Sequence, residues 1–224
     1  MTFSILVYDP LTESYGGASA TGNICLGGWV LRGNPLSGIS ASQGAEPSTL
    51  WGENILNYTK GGLDAKSAIK KTIKDDLGKE RRQLSVIDKE GKVGVFSGKE
   101  NSSITDQLVS KNIVLSGNIL SNKNILSSMM DKYLKSKNKN LVDRLYNTLK
   151  AGNEAGGDRR GIFSASILIV CRDFPPISLR VDYSTNALKK LKVLIEKLNT
   201  IEYNNWLNHL PTISDPYKFQ PRDK

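Results

Sequence analysis

The chain is poor in the residues on which many enzymes and metal sites depend. Its 224 residues include one histidine, His209, and two cysteines, Cys25 and Cys171. A single imidazole makes a His-centred metal cage or a Ser-His-Asp triad hard to build. His209 itself, in YNNWLNHLPT, reads as a surface or packing residue. The two thiols stand apart in strand-like apolar runs, NICLGG and ILIVCR, and form neither a disulfide framework nor a zinc site. No metal and no cofactor are expected. No apolar run approaches the ~20 residues of a membrane span, and the N-terminus lacks the basic stretch and apolar run of a signal peptide. A cytoplasmic protein without a membrane partner is expected. Linkers rich in Pro, Gly or Ser, internal repeats and low-complexity tracts are missing too. Residues 1–215 therefore read as one domain, followed by a polar tail over 216–224.

Of the residues present, 38% are hydrophobic and fall in short organised runs, enough for a substantial core. The formal net charge is +9, from 31 Lys and Arg against 22 Asp and Glu. Such an excess suits a polyanion partner. The lysines, however, are spread over helical segments such as SAIKKTIKDD, MMDKYLKSKNKN and ALKKLKVLIEKL, without interleaved aromatics. They read as solvated faces, and no nucleic-acid partner is expected.

TFSILVY has the composition of a strand, closed by turn residues in DPLTESYGG. A second strand is expected through GGASATGNICLGG, and its small residues allow a helix, a backbone or a ligand to come close. SGISASQG reads as a third. The period then changes: PSTLWGENILNYTKGG and LDAKSAIKKTIKDDLG are helical. RRQLSVIDKEGKVGVFSG reads as two strands joined by a turn, and NIVLSGNIL as another strand. NILSSMMDKYLKSK and LVDRLYNTLKAG are helices, SASILIVC and SLRVDYS strands, ALKKLKVLIEKLN a helix, and NNWLNHL a short one. Helices arriving in pairs between hairpin-like strands argue against a single parallel sheet. They predict an α+β fold, a four-layer α-β-β-α sandwich of two packed, mainly antiparallel sheets.

MTFSILVYDP, GISASQG, PSTLWGENIL, ERRQLSVID, SGNIL, AGNEAGGDRRG and SLRVDYS, in this order from Met1 to near Asp182, resemble the bacterial family called domain of unknown function 1028. That family is similar in fold to the N-terminal nucleophile (Ntn) hydrolases, which have the same four layers. The resemblance implies an Ntn hydrolase-like protein in which Thr2, exposed by removal of Met1, is the nucleophile and its own α-amine the base. Such chemistry needs no histidine. In many members a lysine stands on the second strand near the nucleophile; here SATGNICL holds Gly22 at the matching place, with Asn23 beside it, and Arg32 is a replacement only by proximity in sequence. Thr2 is also an ordinary strand residue.

The remaining candidates have two readings each. Asp9 is an orienting carboxylate or the opener of an Asp-Pro turn. Asn118 is an oxyanion donor or a helix cap. Ser42 and Gln43, polar residues in a core strand, need partners or a ligand. Arg82 binds a substrate carboxylate or makes a structural ion pair. In the loop NEAGGDRRG, Gly156 and Gly157 suit positive φ, and Asp158 with Arg159 or Arg160 forms an ion pair or a binding element. The expected function is hydrolysis of a small amide or peptide-like ligand. The alternative is an inactive protein of this fold that binds a small polar metabolite. A homo-oligomer is expected, with GGWVLRG around Trp29 as a possible contact.

Overall fold

Alternation decides the first strand. In TFSILVYD, Phe3, Ile5 and Val7 fall on one face and Thr2, Ser4 and Leu6 on the other, and both faces are covered. The computed structural model describes residues 2–101, 104–158 and 160–220. Six strands make one antiparallel sheet: β1 (Thr2–Asp9), β2 (Ser14–Thr21), β7 (Asp106–Ser110), β8 (Ile113–Asn118), β9 (Ser164–Val170) and β10 (Ile177–Val181). Their order is β10-β9-β2-β1-β8-β7, with β1 central between β2 and β8. The second antiparallel sheet, β3-β4-β5-β6, is built from Leu31–Asn34, Gly38–Gly44, Arg82–Asp88 and Val93–Ser97.

Three buried clusters stack these sheets with helices into layers. Phe3, Ile5, Leu115 and Ile167 pack against Ile125 and Met129 of α4 (Asn124–Lys135), Leu145 and Leu149 of α5 (Leu141–Glu154), and Leu191 of α6 (Ala187–Leu198). Leu6, Tyr15 and Val114 meet Ile39, Ala41 and Ile87 between the sheets. Trp51 and Ile55 of α2 (Thr49–Lys60) and Ala68 and Ile69 of α3 (Ala65–Ile73) cover Leu84 and Val86. The order is helices, sheet, sheet, helices, as expected for an α+β sandwich. Burying one such side chain contributes about 1.5–3 kcal/mol.

The small residues of β2 let the layers close. A Cβ on Gly16 would lie 3.0 Å from Leu145 of α5, and one on Gly17 3.0 Å from Ile39 of the other sheet. The expected extension of this strand through Cys25 does not occur. β2 ends at Thr21, Cys25 takes a φ of 58°, and Leu26–Trp29 form the short helix α1. Strands β3 and β7 went unread in the sequence because both are short edges that bury little, so LRGN and DQLVS need no apolar alternation. The last helix, α7 (Ile201–Leu207), precedes a turn held by Thr212, Ser214 and Asp215. No helix among the described residues is long and apolar enough to cross a membrane.

Candidate functional site

The strand registers align the inward side chains of the larger sheet in rows. Asn118, Thr2, Thr21 and Ser164 stand side by side across β8, β1, β2 and β9; one step inward come Ser116, Ser4, Ser19 and Ser166. The next row is Val114, Leu6, Gly17 and Leu168. The opposing sheet follows the same gradient, with Gln43 beside Gln83, Ala41 beside Ser85 and Ile39 beside Ile87. The space between the sheets is thus apolar at one end and hydroxyl- and amide-rich at the end where Thr2 sits.

The serines and glutamines of the inner rows satisfy one another, as burial requires. Ser4 Oγ donates to Gln43 Oε1 at 2.7 Å, and Gln43 Nε2 donates to Gln83 Oε1 at 2.7 Å and to the Thr2 carbonyl at 3.4 Å. Gln83 Nε2 reaches the Gly117 carbonyl at 3.2 Å, next to Asn118. Ser85 and Ser116 hydroxyls lie 2.5 Å apart, and Ser19 and Ser166 3.1 Å apart. Two glutamines and a serine ladder therefore set the spacing of the sheets beneath Thr2.

Above this layer opens a cavity of about 400 Å³. Thr2, Thr21, Asn118, Asn23 and Arg160 supply its polar groups, and Ile24, Trp29, Val30 and Pro47 its apolar wall. Thr2 Oγ1 lies 3.2 Å from Thr21 Oγ1. On the other side, Asn118 is 1% exposed and its Nδ2 is buried with no hydrogen-bond partner. A buried amide donor left unused costs about 1–3 kcal/mol. Ile119, which follows it and lines the same cavity, has a φ of 54°, a left-handed conformation costly for a β-branched residue. Strain and an unmet donor adjoin at the cavity wall, a combination typical of functional sites.

The loop after α5 closes one side. Gly156 and Gly157 take positive φ, as the sequence suggests. The Asp158 carboxylate accepts from the Gly22 N–H at 2.8 Å, from the Arg160 N–H at 3.0 Å, and from Arg160 Nε and Nη2 at 3.1 and 2.8 Å. Burial works against its charge, but the Arg160 guanidinium and the backbone donors outweigh it and hold the carboxyl at about 2, below its ordinary 3.8. A Cβ on Gly22 would lie 2.4 Å from Asp158 Oδ2 and 2.8 Å from the Gly161 carbonyl. The space beside Gly22 is therefore taken by Asp158.

Of the residues picked from the sequence, Thr2 and Asn118 come together in the cavity, with Gln43 directly beneath and Asp158 behind Gly22. Asn118 caps no helix, since Ile119 turns away and α4 begins only at Asn124. Asp9 does not join them: it ends the same strand that Thr2 begins, and its Oδ1 accepts from the Leu11 N–H at 3.0 Å in a turn. Ser42 alternates with Gln43 and so lies on the other face of β4, the face on which Ser40 bonds the Gly52 carbonyl of α2. Arg82 is spent on Asp76, the Glu46 carbonyl at 3.0 Å and the Trp51 ring. Arg32 pairs with Glu53 at 3.4 Å. Arg159 lies outside the described residues, and the ion pair with Asp158 is made by Arg160. Thr21 and Trp29 were missed as cavity residues; register across from Thr2 identifies the first, and the turn at Cys25 places the second. No group of three or more His, Cys, Asp or Glu suited to a metal occurs among the described residues.

The sequence model described as "Family of unknown function (DUF1028)" matches residues 2–191. The chain belongs to this family. Its fold is similar to the crystal structure of protein SPO2555 from Silicibacter pomeroyi, described there under the same DUF1028 model. The two share 38% identity and a TM-score of 0.93, over 98% of this chain and 99% of that one. No curated protein matches the chain. Its DUF1028 segment contains the whole Thr2–Thr21–Asn118 row and ends within α6.

Proposed function

We propose that this DUF1028 protein is a hydrolase of the N-terminal nucleophile type, cleaving a small amide or peptide bond with Thr2 after removal of Met1. The observation that carries this reading is the Thr2 hydroxyl at a cavity wall with the buried, unpartnered Asn118 amide directly across the strand pair. The layered α+β architecture of two packed antiparallel sheets between helices, which the family resemblance links to the Ntn hydrolases, supports it. Thr2 Oγ1 adds to the substrate carbonyl while the free α-amine, titrating near ~8, takes the hydroxyl proton. Asn118 Nδ2 donates to the oxyanion, a contribution of roughly 10²–10³ in rate for one such donor. The amine then returns its proton to the leaving nitrogen as the C–N bond breaks. A water molecule, deprotonated by the same amine, finally hydrolyses the threonyl ester.

A second reading, a binding protein for a small polar metabolite, is favoured by one observation: no lysine lines the cavity among the described residues, and Asp158 fills the space beside Gly22. One experiment separates the two. The intact mass of untagged protein shows whether methionine is lost, and a reactive β-lactone followed by peptide mapping shows whether Thr2 is acylated. Loss of methionine with an adduct on Thr2, absent in Thr2→Ala, is the expected result. Retained Met1 overturns the mechanism by removing the base and leaves the binding reading.

A further inference from the structure

We propose a second site, at the opposite end of β1 from Thr2, that binds a small amphipathic anion: one carboxylate-like head on an apolar body. Seven residue steps of β1 separate Thr2 from Asp9, about 23 Å of strand. At the Asp9 end the structure opens a cavity of about 830 Å³, twice the size of the one at Thr2. That volume suits a small-molecule ligand. Its apolar wall comes from Ile113, Ile169, Phe174, Ile177 and the start of α5 at Leu141 and Val142.

The charge around this wall is one-sided. Lys111, Lys137, Lys139 and Arg144 line it against a single carboxylate, Asp9, whose Oδ1 is already engaged by the Leu11 N–H. Among the described residues none of these four cations is in an ion pair. Other cations do find carboxylates, including Lys192 with Asp143, the residue next to Arg144. Lys137 and Lys139 come from the run that reads in sequence as a solvated face, and they are exposed; the α4–α5 connection places them at the rim of the cavity.

Arg144 carries a second, independent signal. Its guanidinium lies over the Tyr133 ring, 4.0 Å from the centroid, and its Nε is buried with no hydrogen-bond partner. A guanidinium N–H withdrawn from water without an acceptor is costly. A carboxylate entering the cavity supplies that acceptor, in the planar geometry that suits arginine, while its hydrocarbon part covers the wall. The proposal is independent of what Thr2 does.

Isothermal titration of the full chain tests it with decanoate, with decanol as a body without charge, and with inorganic phosphate as a charge without body. Decanoate is expected to saturate one site, with both other probes at least about tenfold weaker. Arg144→Met is expected to weaken decanoate about tenfold or more. Because Arg144 is packed on Tyr133, the exposed double variant Lys137→Gln/Lys139→Gln gives a second reading that does not touch the core, with a several-fold loss. Thr2→Ala is expected to bind as the parent does. The proposal is overturned by absence of saturable decanoate binding, by equal binding of decanol, by unchanged affinity in both charge variants, or by loss of binding in Thr2→Ala. Sedimentation with phosphatidylglycerol vesicles distinguishes a free ligand from a lipid surface: no co-sedimentation is expected, and vesicle binding without decanoate binding overturns the small-molecule site.

Discussion

The Gln43 side chain crosses from one sheet to the other and donates to the backbone carbonyl of Thr2 at 3.4 Å, while its oxygen accepts from Ser4 two residues along the same strand. One glutamine thereby fixes the strand that carries the candidate nucleophile from two points. It also passes the constraint on to Gln83, and through it to the Gly117 carbonyl beside Asn118.

Replacing Gln43 by leucine leaves the Ser4 hydroxyl and the Gln83 carbonyl oxygen buried without their partners. Each orphaned group costs about 1–3 kcal/mol, so a destabilisation of about 2–6 kcal/mol is expected in urea unfolding. A change below about 0.5 kcal/mol would show that the inter-sheet network is not cooperative in the way a buried polar chain should be.

Asn118→Ala has the opposite profile. Its Nδ2 makes no hydrogen bond in the folded protein, so removing it breaks no existing bond, and stability is expected to fall by less than about 1 kcal/mol. On the proposed mechanism the rate of Thr2 acylation drops by roughly 10²-fold or more, through loss of the oxyanion donor. Thermal unfolding and β-lactone acylation, measured side by side, check the split. Equal acylation rates in parent and variant remove Asn118 from the reaction.

Most of the fold was legible in the sequence because its layers rest on local signals: period-2 alternation in TFSILVYD, helical spacing of Trp51, Ile55 and Tyr58 (Leu50, read with them, is exposed), and Gly-Gly stops. Half of the candidate site was not, because it is defined by register between strands far apart in the chain. Thr21 meets Thr2 only through the pairing of β1 with β2, and Trp29 reaches the cavity only through the turn at Cys25; Asn118, picked from SGNIL, is set opposite Thr2 by the pairing of β1 with β8. The same alternation that revealed β4 also separates Ser42 from Gln43, and placing both at one site overlooked it. Asp9 failed for a simpler reason: it stands at the far end of the strand that Thr2 begins, and seven extended steps span about 23 Å.

Gly22 offers a test of whether Asp158 excludes a side chain at this place. Its absent Cβ is replaced by the Asp158 carboxylate, which needs the Gly22 N–H within 2.8 Å. Gly22→Ala forces Asp158 or the Gly161 backbone to move, an overpacking cost of about 1–3 kcal/mol. Gly22→Lys is therefore expected to lower thermal stability at least as much and to leave Thr2 acylation no faster. A Gly22→Lys protein with unchanged stability and faster acylation would overturn the view that Asp158 has taken over the position.

Asp158 also predicts how the cavity responds to acid. Its carboxyl is held at about 2 in the folded protein against an ordinary 3.8, the Arg160 guanidinium and two backbone donors overcoming the effect of burial. A group whose folded value is depressed contributes stability that is complete above the unfolded value and is lost as the pH falls through the folded one. The ion pair therefore contributes fully above about pH 4 and disappears between about pH 4 and pH 2, a loss of about 2 kcal/mol for a shift of this size. In Asp158→Asn this component of the acid slope is absent, because the residue no longer takes up a proton. Denaturant midpoints measured at intervals from pH 5 to pH 2 decide the matter. The parent is expected to lose stability more steeply than the variant below pH 4, and parallel curves would mean that Asp158 does not titrate with the loop.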